Sequence, residues 1–387
     1  MLGKYLRMAA VAIMIVCGSV CSVAQEGGEE FSMATLNVDG LPKRISVFEL
    51  FDLEVNPDGP GKEYTPAISQ YLAKCAYDFI AVQENFDYHA ELCSALDADY
   101  SHDFWNGGMT VDKFLWEEAY FPFDGVNLFW RNSNVTAERT DSVPWVKSYG
   151  KFDHANDDLI KKGFRRYDLQ LKGGSQLVVY NMHMDASDDK DEAKGEDKPD
   201  REVRMMQWRQ LRDSILNRLD KRPVIVCGDL NSFYERDSVK LQFIDEIEKT
   251  GRATVGDVFI TLERNGQYPA LSGESVIKDE GATSWEIDGQ TLDKILYINP
   301  TGGGVLTPLT FTIDREGYVR ENGQMLGDHY PLSATFRISP QGASGITSVT
   351  TTTPADDAYY DLTGSRLSGR PARKGIYIHR GKKIVVK

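Results

Sequence analysis

Apolar and polar positions change rhythm several times along this chain of 387 residues. Short runs rich in β-branched and aromatic side chains read as strands at residues 31–38, 79–83, 126–130, 166–171, 176–182, 224–227, 292–298 and 332–338. Between residues 201 and 219 the rhythm is helical: Met205, Trp208, Leu211, Ile215 and Leu219 recur three or four apart with charges between them. Shorter helices are expected at 64–76 and 88–96. The pair Gly173-Gly174 between two alternating runs predicts a hairpin. Strands joined partly by helices and partly by tight turns predict mixed α/β layers.

The two ends depart from this pattern. Lys4 and Arg7 precede an apolar run at 8–17 and then Ser22-Val23-Ala24, the makeup of a secretory signal peptide cleaved after Ala24. A buried N-terminal helix is the alternative. Cys17 and Cys21 raise lipidation, although neither follows a Leu-small-small pattern. Residues 25–340 form the main domain, 341–354 a Ser/Thr-rich linker, and 355–387 a short β-rich tail too small for a core of its own. No internal stretch is long and apolar enough to cross a bilayer. Past the leader, Cys75, Cys93 and Cys227 remain, too few for a disulfide scaffold. Cys75 and Cys93 could pair, whereas Cys227, in an apolar run, reads as a buried free thiol.

Charge narrows the partners. The chain carries −14; two bases and no acids fall in residues 1–24, and eight bases against three acids in 341–387, which leaves −21 on residues 25–340. Nucleic-acid binding draws on lysines and arginines that neutralise phosphates, and so acidic a domain offers no evident footprint for them.

The chemistry-bearing residues sit where apolar runs end. Asn37 and Glu84 each follow a strand-like run, a rigid yet accessible position that suits a ligand for a hard cation. Gln83-Glu84-Asn85 could instead cap the helix that follows. Gly228-Asp229-Leu230-Asn231 closes another run. Gly228 permits a tight turn, and on an extended segment Asp229 and Asn231 point the same way, able to orient a water. An Asx turn is the plainer alternative. In Gly327-Asp328-His329-Tyr330-Pro331, His329 can accept a proton near neutral pH. Asp293, an acid inside an apolar strand, needs a partner: His329, or a salt bridge with Lys294. His183, at the end of another run, is the second candidate imidazole. His89, His102 and His154 read as structural or exposed.

Thr35-Leu36-Asn37-Val38, Gln83-Glu84, residues 181–186, Gly228–Asn231, Leu292-Asp293-Lys294 and Gly327–Leu332 together resemble the endonuclease/exonuclease/phosphatase superfamily, the group of DNase I, sphingomyelinases and inositol-polyphosphate 5-phosphatases. The resemblance spans about residues 31–338. It implies a DNase I-like four-layer α/β/β/α sandwich with two mixed β-sheets, and a Mg²⁺ cofactor, with Mn²⁺ or Ca²⁺ as alternatives. It also implies residue roles. Glu84 is the principal metal ligand with Asn37 beside it, and Asp229 and Asn231 position water and phosphate. His329, supported by Asp293, is the general base, and Asp328 orients it or approaches the metal. His183 contacts the phosphate and protonates the leaving group. Lys162, in a Lys-Gly step like that of sphingomyelinases, is a phosphate-binding candidate or else an exposed turn lysine. Asp185-Ala186-Ser187 departs from the His-x-Gln-Ala of sphingomyelinases, and the acid that partners the His183-type residue in DNase I has no evident counterpart. The tail is similar to C-terminal tails of exported Bacteroidetes proteins.

The expected activity is hydrolysis of a phosphoester by water at a divalent metal, on phospholipid head groups or soluble phosphorylated metabolites. A secreted DNase I-like nuclease and a non-catalytic binding module are the alternatives. Residues 100–123, crowded with aromatic side chains, could touch a lipid or membrane surface or else pack inward. The acidic segment 185–200 could hold calcium or be a solvated loop. No protein partner is evident.

Overall fold

The computed structural model describes residues 28–47, 51–108, 123–150, 155, 157–187, 195–234, 236–269, 286–287, 290–340 and parts of 359–386. The leader 1–24, the linker 341–354, His154 and the aromatic residues of 109–122 lie outside them.

The strands of two sheets carry the fold: β1 (Glu29–Asn37), β2 (Phe79–Gln83), β3 (Tyr100–His102), β4 (Asn127–Arg131), β5 (Val135–Pro144), β6 (Gly163–Leu171), β7 (Gln176–His183), β8 (Val224–Asp229), β9 (Ala253–Asp257), β10 (Asp293–Pro300), β11 (Val305–Ile313) and β12 (Leu332–Ser339). One six-stranded sheet runs β11-β12-β1-β2-β4-β3 and the other β9-β10-β8-β7-β6-β5. The pairs β1–β2 and β7–β8 are parallel and the rest antiparallel, so both sheets are mixed.

Side-chain alternation assigns the layers. On β1, Phe31 and Met33 face the other sheet, and on β8 Ile225 and Cys227 do the same; with Phe79, Leu128, Tyr167, Val179 and Ile295 they form the apolar layer between the sheets. Ala34, Leu36, Ile80 and Val82 face outward, against Ile68 and Leu72 of helix α1 (Gly61–Cys75) and Leu92 of α2 (His89–Cys93). Val224, Val226, Val178 and Tyr180 face outward on the second sheet, against Trp208, Leu211 and Ile215 of α3 (Lys198–Arg218). Strands covered on both faces read as continuous apolar runs, which is why the central ones were evident in the sequence. The result is the expected α/β/β/α sandwich.

Polar hydrogen bonds also join the sheets. Asn181 on β7 donates from Nδ2 to Val82 O at 3.0 Å and Asn127 O at 2.8 Å, while its Oδ1 accepts from Gln83 Nε2 at 2.7 Å. Both side chains, Asn181 and Gln83, are buried, so a buried amide whose partners lie on the opposite sheet fixes how the two slide past each other.

Three expectations need correction. Cys75 and Cys93 do not pair; both thiols are free. Asp229 and Asn231 do not share an extended segment: β8 ends at Asp229, Asn231 has φ of 44°, and its N–H donates to Asp229 Oδ1 at 3.1 Å, an Asx turn. Lys162 is buried rather than exposed, because its Nζ is paired with the carboxylate of Asp157.

Strands β3, β5, β9 and β11 were not anticipated. Of β5 only Val135 is buried; exposed and half-buried positions alternate along the rest of this outer strand, which carries little apolar signal. β11 contains Pro308 at a register shift, tolerated because it lies at the sheet edge. Contacts divide the chain into units 1–341 and 342–387. The second contains a small antiparallel sheet of Arg366–Leu367, Tyr359–Tyr360, Gly375–His379 and Lys382–Val386.

Candidate active site

Pairing register brings the candidate residues to one level. Asp229, the last residue of β8, is the cross-strand partner of His183 on β7 and of Asp293 on β10. On the other sheet Asn37 pairs with Gln83, and Glu84 follows directly. Two close backbone approaches make this possible. Gly228 has φ of +142°, and a Cβ there would lie 2.0 Å from Met182 O, so β7 and β8 meet closely just before their functional ends. Glu84 adopts the left-handed region, φ of 54°, while Gly40 N donates to its carbonyl at 3.1 Å. A Cβ on Gly40 would lie 2.3 Å from that oxygen.

Asp229 Oδ2 is the hub. It accepts from Asn37 Nδ2 at 3.1 Å and lies 3.3 Å from His183 Nε2 and 3.6 Å from His329 Nε2. Asn37 Nδ2 also donates to Glu84 Oε1 at 2.9 Å, so one amide bridges the two acids, and its Oδ1 accepts from Asp39 N at 2.9 Å. His183 Nε2 is 3.9 Å from Glu84 Oε1. His329 Nδ1 lies 2.8 Å from Asp293 Oδ2, the partner predicted for it; Lys294 instead reaches Thr291 O and the Tyr234 ring. The alternative use of Glu84 as a helix cap is not realised, since α2 has Tyr88 at its N-cap and no side-chain cap.

Electrostatics follow from this crowding. Burial alone would raise the Asp229 carboxyl, but His329, His183 and Lys162 hold it well below the usual carboxylate range. For His329, burial favours the neutral ring, yet Asp293, Asp229 and Asp328 outweigh it and raise its pKa well above the ordinary value. Burial and the charges of Asp328 and Glu84 push Asp39 up to about 8. Burial, then Glu84 and Asp229, push Asp328 up to about 6 against the pull of His329. Lys162 keeps its proton against the cost of burial because Asp157, Glu84 and Asp229 act on it together.

Glu84, Asp39 and Asp328 thus form a crowd of carboxylates, two of them raised first by burial and then by their neighbours' charges. Oxygen donors in excess of neighbouring cations fit a hard divalent ion rather than a thiophilic one. Asn37 as arranged turns its nitrogen, not its oxygen, toward Glu84.

Asn37, Glu84, His183, Asp229, Asp293 and His329 therefore converge, with Asp328 and Lys162 near enough to act electrostatically. Asn231 lies beside them, but its Nδ2 donates to Met184 O at 3.1 Å. Three residues escaped sequence reasoning. Asp39, two positions beyond Asn37, carried the same end-of-strand signal. Asp157 pairs with Lys162; burial raises its carboxyl against the opposing pull of Lys162 and, more weakly, of His183, whose Nδ1 has no hydrogen-bond partner among the described residues. Asn181 had the signal of lying two residues before His183.

Loop expectations resolve unevenly. Asp185 accepts from Tyr149 N and Asp197 holds Arg201, so these acids of 185–200 serve the fold. Of the aromatic residues of 100–123, Tyr100 and Phe123 are buried, Trp105 stacks on His89, and Phe104 is 68% exposed.

The sequence profile of the Endonuclease/Exonuclease/phosphatase family matches residues 34–245, more than half of the chain. The chain belongs to this family. Members of the endonuclease/exonuclease/phosphatase family are hydrolases of phosphoesters. Sphingomyelinases of Mycobacterium bovis and Mycobacterium tuberculosis are 26% identical over 311 residues, 79% of this chain and 52% of theirs. The chain spans about half the length of the curated relatives it matches. Two solved structures share the fold at low identity. Zebrafish (D. rerio) TDP2, in complex with a single-strand DNA product, is 14% identical with a TM-score of 0.52, over 80% of this chain and 99% of that one. The human Nocturnin catalytic domain with bound sulfate is 16% identical with a TM-score of 0.51, over 80% and 94%.

Proposed function

We propose that this chain is an exported, divalent-metal-dependent phosphodiesterase that cleaves phospholipid head groups in the manner of a sphingomyelinase. The observation that carries the chemistry is the shared Asp229 Oδ2, approached by Asn37, His183 and His329, with His329 backed by Asp293. In this reading Glu84 and Asp328, with Asp39, hold the ion, Mg²⁺ above all. When bound, the ion polarises the phosphoryl oxygens and offsets their charge.

The chain's own groups do the rest. Asp293 holds the His329 proton at Nδ1, which leaves Nε2 to accept a proton from a water that Asp229 Oδ2 also orients. That water attacks phosphorus. His183 Nε2, beside the same carboxylate, donates a proton to the departing oxygen, and Lys162 counters the phosphate's charge. Neutral His329 is needed as the base, and a cation beside Glu84 and Asp328 would draw its raised pKa back down.

Two observations support a lipid substrate over nucleic acid: the likeness to sphingomyelinases and the −21 carried by residues 25–340. Export rests on the basic start, apolar run and Ser22-Val23-Ala24 of the leader. The purified chain should be assayed with Mg²⁺ and with EDTA on sphingomyelin vesicles, inositol phosphates and supercoiled DNA. Release of the phosphorylated head group only with the metal, abolished by His329→Ala, is expected. Nicking of DNA with intact lipid would make it a nuclease, and no hydrolysis in any arm would make it a binding module.

A further inference from the structure

A second cluster lies outside the hydrolytic centre. His89 and Cys93 sit four residues apart on α2, so they share one helix face, and His102 on β3 meets them. One ligand atom from each lies within 4.8 Å of the other two. His89 Nε2 is 3.4 Å from Cys93 Sγ. The cluster is walled by Trp105, stacked on His89 with centroids 4.8 Å apart and planes 5° apart, and by Phe129 on the side of His102. Cys93 is buried and the two imidazoles half-buried.

We propose that His89, Cys93 and His102 bind a thiophilic transition-metal ion of the Zn²⁺ class, at a site separate from the oxygen-donor centre. Two imidazoles and a thiolate form a borderline-soft donor set that Mg²⁺ and Ca²⁺ do not favour. Three protein ligands leave a fourth position for water. Ligand distances of about 2.0–2.3 Å place tetrahedral donors about 3.3–3.8 Å apart, so the His89–Cys93 pair at 3.4 Å already has the needed separation, and His102, within 4.8 Å of both, has at most about 1.5 Å to close.

The surroundings prepare the donors. His102 Nδ1 lies 2.8 Å from Asp103 O, which accepts its proton and leaves the Nε2 lone pair free. His89 Nδ1 lies 2.7 Å from Asn85 Nδ2, while Asn85 Oδ1 is buried with no hydrogen-bond partner among the described residues. Coordination through His89 Nε2 places the ring proton on Nδ1, and rotation of the Asn85 amide turns that orphaned oxygen to receive it, at the expense of the bond that Asn85 Nδ2 donates to Asn127 Oδ1 at 3.0 Å. The Cys93 proton leaves to solvent as the thiolate binds.

The location gives the ion a consequence. Asn85 follows Glu84, and Trp105 Nε1 donates to Asn85 O at 2.6 Å. An ion at this cluster ties α2, β3 and the segment that carries Glu84 into one unit.

Titration of the full chain with Co²⁺ in excess Mg²⁺, which occupies the oxygen donors, tests this. One equivalent should develop thiolate-to-cobalt absorption in the near ultraviolet together with visible bands of a tetrahedral ion. Cys93→Ser should lose the ultraviolet band, Cys75→Ser should keep it, and His102→Ala should weaken cobalt binding at least about tenfold. Zn²⁺ should displace the cobalt and raise the Tm of the wild type but not of Cys93→Ser. No ultraviolet band in the wild type, or an undiminished band in Cys93→Ser, would overturn the site and leave only a hydrogen-bonded His–Cys cluster. Circular dichroism checks folding, and if Cys93→Ser does not fold, the His102→Ala titration decides.

Discussion

His329 Nδ1 stands 2.8 Å from Asp293 Oδ2, although one residue leads into β12 of the first sheet and the other opens β10 of the second. The contact converts a histidine of either tautomer into one whose Nε2 is the free base. Asp293→Asn keeps the shape and removes the charge. It should lower kcat about 10²–10⁴-fold with KM little changed, the range for losing an oriented general base. Steady-state kinetics on a chromogenic phosphodiester would check it, and wild-type kcat in the variant would remove His329 from that role.

The carboxylate crowd predicts an inverted pH dependence of stability without metal. Asp39 titrates near 8 in the fold against an ordinary value of 3.8, so the folded state binds the extra proton between those limits. Stability present at low pH is therefore lost as pH rises toward 8. The raised His329 acts in the same direction, since its contribution is complete below its unfolded value and vanishes as pH passes its folded one. In EDTA the Tm should fall from pH 5 to pH 8, and Mg²⁺ should raise it more at the higher pH. Equal stabilisation at both would argue against an ion among these acids.

Lys162 separates support from chemistry. Lys162→Met strands Asp157 in the interior, and losing one partner of a buried ion pair costs about 3–5 kcal/mol. Lys162→Met/Asp157→Asn should recover much of that stability in denaturant melts. If Lys162 counters the phosphate, activity should stay low in the refolded double variant; full recovery would make the pair purely structural.

Gly228→Ala should be the most damaging small change. Its Cβ would lie 2.0 Å from a backbone carbonyl at φ of +142°, and strain of this kind costs at least about 1–3 kcal/mol before Asp229 is displaced. Low soluble yield or a depressed Tm, with little residual activity, is the expected result.

Much of the site was legible because its residues end strands. A run such as Val224–Cys227 is apolar throughout when covered on both faces, so Asp229 stands out as its first charge. The Asp293–His329 pairing could also be anticipated, since an acid within an apolar strand demands a partner. The Asx turn at Asn231 was harder to choose, because an extended segment and a turn both suit Asp-Leu-Asn, and the choice is made by Met184 O and Asp229 nearby. Asp157 was missed although it stands only five residues before Lys162, because the turn at 157–159 that folds the acid back onto the lysine leaves no mark in the apolar rhythm. The outer strands β5 and β11 were missed because solvent on one side erases the apolar signal.

The Gln83–Asn181 contact holds together the two halves that supply Glu84 and Asp229, and it lies in strands rather than in loops. The separation of Glu84 from Asp229 is thereby set by how one sheet packs on the other and not by the loops between strands. A slip between the sheets would disable cleavage of every substrate alike.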